Sequence, residues 1–193
     1  MSYSPAGKEI LTEQIRETFV RRGYDGATLA HLARATGLSR ASLYHHFPAG
    51  KPEMASTLTR HAIIELQTRA FNHLNTPEPL LNRLIALING FAQYTAQGSR
   101  PCLLAVFIHH DTASEETAEL QLAITQQFRD WHTALTQAFM EGNLKEKKAH
   151  QQAHELVTLL YGSLIAARMH DQSELFAQAM KRLKKQLKQR FGH

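Results

Sequence analysis

Seven consecutive positions, Ser39 to His45, hold an arginine, a tyrosine, a histidine and two hydroxyls, and their chemistry is recognition by hydrogen bonding. The Arg40 guanidinium can donate a bidentate pair to a guanine edge, and Ser39 and Ser42 can bond to bases or phosphates. Tyr44, His45 and, six residues on, Lys51 suit phosphate oxygens, which fix position without reading sequence. Ala41 is small enough to let a backbone approach base edges closely. Bond-making chemistry finds no comparable set. No G-x-S-x-G elbow, Gly-rich phosphate loop or H-E-x-x-H is present. Cys102 lies in an apolar stretch and reads as a small buried hydrophobe. No enzymatic activity is expected.

The stretch Thr28–Phe47, TLAHLARATGLSRASLYHHF, must position those groups. Thr28 can cap a first helix whose Leu29, Leu32 and Ala33 form one stripe at i, i+3 and i+4. Gly37 permits a sharp reversal, and Leu38 can fill the space beneath it. Ser39 can cap a second helix with Leu43 and Phe47 on its inner face. Arg40, Ala41, Ser42, Tyr44 and His45 then face outward. Any two-helix corner needs a glycine and two stripes. The capped, lightly basic second helix with small residues beside Arg40 fits the major groove of DNA.

From about Ile10 to Met54 the sequence resembles the N-terminal domain of TetR-family transcriptional regulators. The resemblance rests on Phe19, Gly23, Tyr24, Thr28, Leu32, Ala33, Gly37, Leu38, Leu43, Tyr44, His46, Phe47 and Lys51. The FPAGK run at Phe47–Lys51 resembles the LmrA/YxaF-like branch, whose link here is one residue longer. The rest of the chain resembles the family in helical layout alone.

The charge is compatible with a polyanionic partner without requiring one: +5 overall, of which residues 1–60 carry eight Lys/Arg against five Asp/Glu. With 43% hydrophobic and 20% charged residues over 193 positions, the chain has the composition of a soluble globular protein. A single cysteine suits a reducing compartment, and no apolar run reaches the roughly 20 residues that span a bilayer. A cytoplasmic protein without membrane contact is expected.

Residues 1–6 read as a loose arm. Leu11, Ile15 and Phe19 predict a helix over Lys8–Arg22 that Gly23 ends, with Arg21 and Arg22 opposing its dipole. Tyr24 and Ala27 should pack it on the corner, completing three helices. Pro48-Ala49-Gly50 is a turn, and Lys51-Pro52-Glu53 opens a further helix, continued by His61–Leu74 and broken at Thr76-Pro77-Glu78-Pro79. A lysine beside free helix N–H groups suits a phosphate clamp. Beyond lie a helix with Leu81, Leu84, Ile85, Ile88, Phe91 and Ala92, ended by Gly98-Ser99-Arg100-Pro101, and a short buried helix over Cys102–His110. After a turn at Thr112–Ser114, a long helix carries Leu120, Ile124, Phe128, Trp131, Leu135 and Phe139, closed by Gly142-Asn143. Two more follow, Ala149–His170 and Ser173–Phe191.

Of the twelve histidines, His150 and His154 have the i, i+4 spacing that can hold a metal from one helix face. No acid or cysteine sits at matching spacing, so no metal is expected there. His109 and His110, neighbours on a helix, diverge by about 100° and do not share an ion.

The resemblance implies an all-α protein: a three-helix helix-turn-helix domain over 1–54 and a helical effector-binding and dimerisation domain over 55–193. It implies a ligand-responsive repressor that binds an inverted-repeat DNA operator as a homodimer. Thr28, Ser39, Arg40, Ala41, Ser42, Tyr44, His45 and Lys51 would meet the DNA. In the family two C-terminal helices per subunit form the dimer interface. Here the first carries Gly162, Ser163, Ala166 and Ala167, and the second Phe176, Met180, Leu183, Leu187 and Phe191. Both stripes could instead close the core of one chain. The basic run from Lys181 to Arg190 reads as a solvated face. A small apolar or aromatic effector would sit among Phe91, Tyr94, Phe107, His110, Phe128, Trp131 and Tyr161, with no cofactor otherwise. The alternative is a helical interaction or small-molecule-binding module without DNA contact. Its second helix would lack the Arg, Tyr and capping Ser present here.

Overall fold

In the computed structural model the described residues are 5–108 and 115–192, and every regular element among them is helical. The α-helices are α1 (Pro5–Gly26), α2 (Leu29–Thr36), α3 (Arg40–His46), α4 (Lys51–Arg69), α5 (Leu80–Tyr94), α6 (Leu103–Ile108), α7 (Glu115–Glu141), α8 (Glu146–Met169) and α9 (Ser173–Phe191). Short 3-10 turns occupy Phe71–Asn75 and Ala96–Gly98. Among the described residues no helix is long and apolar enough to cross a membrane. Part of the arm read at residues 1–6, the turn at Thr112–Ser114 and the pair His109–His110 lie outside the described residues.

The chain divides into two compact units, Met1–Ile63 with Cys102–Thr125 and Ile64–Pro101 with Gln126–His193. The first unit is therefore wider than the module read at 1–54, because α6 and the start of α7 pack into it. Leu11, Ile15 and Phe19 form the buried stripe of α1. Gly23, at φ 66° and ψ −179°, interrupts the helical geometry where the end was expected, and one further turn runs to Gly26. Beyond the kink Tyr24 stacks on Phe19, ring centroids 6.0 Å apart. Phe107 from α6 meets both rings edge-on, at 5.2 and 6.2 Å.

In the second unit α4 stops at Arg69 instead of continuing to Leu74. Helix α5 lies against its last turn so closely that a side chain on Gly90 would place its Cβ 1.7 Å from the Arg69 carbonyl oxygen. At Ala70 the backbone leaves helical geometry (φ −122°, ψ −62°) and tightens into the 3-10 turn. This buries Phe71 and Leu74 and stacks Phe71 on Trp131 at 4.3 Å with the rings 3° from parallel. Arg83, only 8% exposed, donates to the Leu74 carbonyl (2.8 Å) and to Glu141 of α7 (2.7 Å), fastening this turn. The Arg83 hydrogen bond holds the Glu141 carboxyl below its ordinary pKa.

Leu84, Leu87, Ile88 and Phe91 form the buried face of α5, while Leu81 and Ile85 sit at its margins. The α9 stripe of Phe176, Met180, Leu183 and Leu187 is buried within the chain, so it closes this unit's own core. The α8 flank differs. Gly162 and Ala166 are exposed, flanked by Leu159, Ile165 and Met169 at 47%, 47% and 80% exposure.

Candidate nucleic-acid interface

Two side-chain caps build the corner that carries the candidate recognition residues. Thr28 Oγ1 accepts from the His31 N–H at 3.3 Å at the start of α2. His31 Nδ1 lies 2.9 Å from the Gly26 carbonyl, so that nitrogen carries the proton and donates. Helix α2 ends at Gly37 in the left-handed conformation (φ 68°, ψ 10°), where a Cβ would be strained. Two residues later Ser39 caps α3: its Oγ accepts from the Ser42 N–H at 3.0 Å and pairs with Ser42 Oγ at 2.9 Å. The cap satisfies one of the N–H groups that the first turn of this seven-residue helix leaves unpaired.

Leu32 and Leu43 are fully buried and hold the two helices together. Leu43 points inward, and most of the other α3 side chains face out. Arg40, Ala41, Tyr44 and His45 are exposed, with Tyr44 at 46%. Ser42 is half-buried and turned toward its partner Ser39. Tyr44 leans on the following turn. Gly50 has φ 70°, and a Cβ there would lie 3.2 Å from Tyr44 Cε1, so glycine both makes the turn and seats the ring.

Lys51 begins α4, as its sequence position suggested, but its side chain is already engaged. Its Nζ donates to the Tyr24 carbonyl at 3.2 Å and stands 4.3 Å from the centre of the Tyr24 ring. Glu53 accepts from the Ala49 N–H at 2.8 Å, tying the preceding turn to the start of α4.

A second basic feature escaped the sequence reading. Arg21, Arg22, His31 and Arg34, with Glu17, line a cleft of about 210 Å³ between α1 and α2. In the sequence these residues are spread over two helices, and Arg21 and Arg22 read only as dipole partners. The i, i+3 spacing of His31 and Arg34 along α2 was the available signal, and it holds only half of the basic set.

The residues considered for an effector site do not form one group. Phe91, Phe128, Trp131 and Tyr161 make a continuous aromatic chain, with Phe91–Tyr161 at 5.1 Å, Tyr161–Phe128 at 5.2 Å and Phe128–Trp131 at 5.4 Å. Tyr94 is buried beneath the Arg100 guanidinium, 5.0 Å from its ring centre. Phe107 belongs to the Phe19–Tyr24 cluster of the first unit. His110 lies outside the described residues.

Comparison with known proteins places this geometry in a family. Residues 11–56 match the family model of bacterial regulatory proteins of the TetR family. Residues 82–182 match that of the transcriptional regulator LmrA/YxaF-like C-terminal domain. The nucleoid occlusion factor SlmA of Pectobacterium carotovorum is 33% identical over 75% of this chain and 69% of its own length. The regulator LmrA of Bacillus subtilis is 38% identical over 28% of this chain and 29% of its own. Among solved structures, a TetR regulator from Legionella pneumophila superposes with a TM-score of 0.77 at 15% identity, covering 96% of this chain and 98% of that one. AibR, solved with isovaleryl coenzyme A and operator DNA, superposes with a TM-score of 0.63 at 18% identity, covering 80% and 84%. The capped α2–α3 corner with its exposed basic face, matched together with the C-terminal domain, makes the chain a TetR-family DNA-binding transcriptional regulator of the LmrA/YxaF-like branch.

Proposed function

We propose that the protein is a ligand-responsive repressor that binds an inverted-repeat operator as a homodimer and leaves it when a small apolar or aromatic molecule binds. The observation that carries this reading is the outward face of α3. Arg40, Ala41, Tyr44 and His45 are exposed, while Leu43 anchors the helix and Ser39 caps it. Arg40, at the first position of α3, reads a guanine edge in the major groove. Tyr44 and His45 hold phosphates. Thr28 and Ser39 keep their caps and offer the adjacent helix N-termini to the backbone, and Ser42 contributes its hydroxyl at the rim. Lys51 keeps its bond to Tyr24 and adds positive charge beside the α4 N-terminus. DNA recognition by this face requires no cofactor.

One seven-residue helix reads few base pairs, so dimerisation is needed for useful specificity. The exposed flank of α8, small at Gly162 and Ala166 and apolar at Leu159, Ile165 and Met169, supports it as the surface that pairs two copies. The aromatic chain from Phe91 to Trp131 supports an apolar or aromatic effector, since a planar molecule can replace one ring-to-ring contact by another. The effector acts only through a difference in affinity between the DNA-bound and free conformers.

Selection of bound duplexes from a random DNA pool tests this reading. The wild-type protein should recover an inverted repeat. The Arg40→Ala protein should bind about 1–3 kcal/mol more weakly and lose its preference at one position in each half-site. An equal loss on every sequence would assign Arg40 to the phosphate backbone instead.

A further inference from the structure

Three histidines with no part in the roles above converge on the seam between α7 and α8. His132 comes from α7, and His150 and His154, one turn apart, come from α8. Their ring centroids are 4.1 Å (His132–His154), 4.5 Å (His132–His150) and 4.9 Å (His150–His154) apart. One nitrogen from each ring can be chosen so that all three lie within 4.8 Å of one another. Imidazoles gain little by crowding together, because each gives up water without burying a large apolar surface.

His132 gives the cluster its direction. It is half-buried, and its Nε2 is shielded from solvent with no hydrogen-bond partner. Burial, and after it the nearness of His154 and His150, lowers its pKa. His150 and His154 are exposed, and their side chains can turn toward it. An unsatisfied buried nitrogen faced by two adjustable imidazoles is an arrangement that a cation completes.

We propose that His132, His150 and His154 form a binding site for a borderline first-row divalent cation of the zinc class. Neutral imidazole nitrogens suit zinc, copper and nickel and disfavour magnesium and calcium, which take oxygen ligands. Three histidines with one open position, filled by water or an added ligand, is a known zinc geometry. Ligand nitrogens at about 2.0–2.1 Å from a tetrahedral zinc lie roughly 3.3 Å apart. The two exposed α8 rings therefore close inward by side-chain rotation. The i, i+4 spacing of His150 and His154 already lets both reach an ion from one helix face. The bound ion ties α7 to α8 at a place where the apoprotein leaves a polar atom unpaired.

The full chain, stripped by chelator and dialysed, is titrated with zinc against a chromophoric chelator, and separately with cobalt. The site predicts one equivalent retained per chain, visible cobalt absorption of a four-coordinate nitrogen-rich centre, and a rise in Tm on adding zinc. All three should be lost in His132→Gln and in the double variant His150→Ala/His154→Ala, and kept in His61→Ala and His170→Ala, which change exposed histidines elsewhere. The double variant alters exposed positions only, so its helical content and metal-free Tm should match the wild type, which separates loss of binding from loss of fold. A wild-type chain that keeps no stoichiometric ion, or a double variant that binds as the wild type does, would overturn the proposal.

Discussion

Ser39 shows how one hydroxyl conditions the recognition surface. Its Oγ is the side-chain acceptor for the first turn of α3 and also holds Ser42. Ser39→Ala should cost about 0.5–2 kcal/mol of stability, read as a lower urea midpoint with unchanged m-value. DNA affinity should fall as well, although the variant removes no charge, because a frayed α3 no longer presents Arg40. Unchanged stability would place the cap's worth elsewhere in the turn. The capping roles of Thr28 and Ser39 could be read from the sequence, since a hydroxyl before an apolar stripe has few better uses. The bond from Lys51 to Tyr24 could not, because 27 residues separate donor and acceptor and no local spacing records their meeting.

At the scale of elements, the junction of α4, α5 and α7 carries the sharpest consequences. Gly90 lets α5 lie on the Arg69 carbonyl, and Gly90→Ala has no room there. We expect a loss of about 1–3 kcal/mol, with a lower Tm, from forcing these helices apart. The nearby Arg83–Glu141 pair adds a pH dependence. The Glu141 pKa is depressed on folding below its ordinary value of 4.5, so the pair's contribution is full above that value and vanishes as pH falls through the lowered folded value. Glu141→Gln should cost about 1 kcal/mol at neutral pH, modest because Glu141 is half exposed, and should flatten this part of the acid unfolding curve. An identical acid profile for variant and wild type would rule the pair out as its source. Sequence periodicity found α5 and α7 but extended α4 to Leu74. Apolar spacing is blind to a neighbouring helix pressing on a carbonyl.

For the whole molecule the decisive question is which surface pairs two copies. Leu159, Ile165 and Met169 are exposed around Gly162, which has open space beside it. Met169→Lys combined with Ile165→Glu should leave a folded chain that sediments as a monomer, with operator binding reduced by orders of magnitude because two half-sites are no longer read together. A dimer that survives both changes would move the interface off this flank. The family resemblance marked both C-terminal helices as interface material, and periodicity cannot tell an apolar stripe that faces its own core from one that faces a second copy. In the structure α9 spends its stripe inward, and α8 keeps an apolar flank outside.

The sequence by itself determined the recognition head: hydroxyl caps, the Gly37 turn and the inward Leu43 are local, and residues within a few positions of each other dictate them. It also determined the all-helical character, because amphipathic spacing is a property of each segment alone. Tertiary structure decided what depends on separate segments meeting. It sent Phe107 to the Phe19–Tyr24 cluster, gathered Arg21, Arg22 and Arg34 around one cleft, and set His132 against His150 and His154. Those meetings are fixed by helix crossings and close packing between residues distant in the chain, and spacing along a single helix carries no record of them.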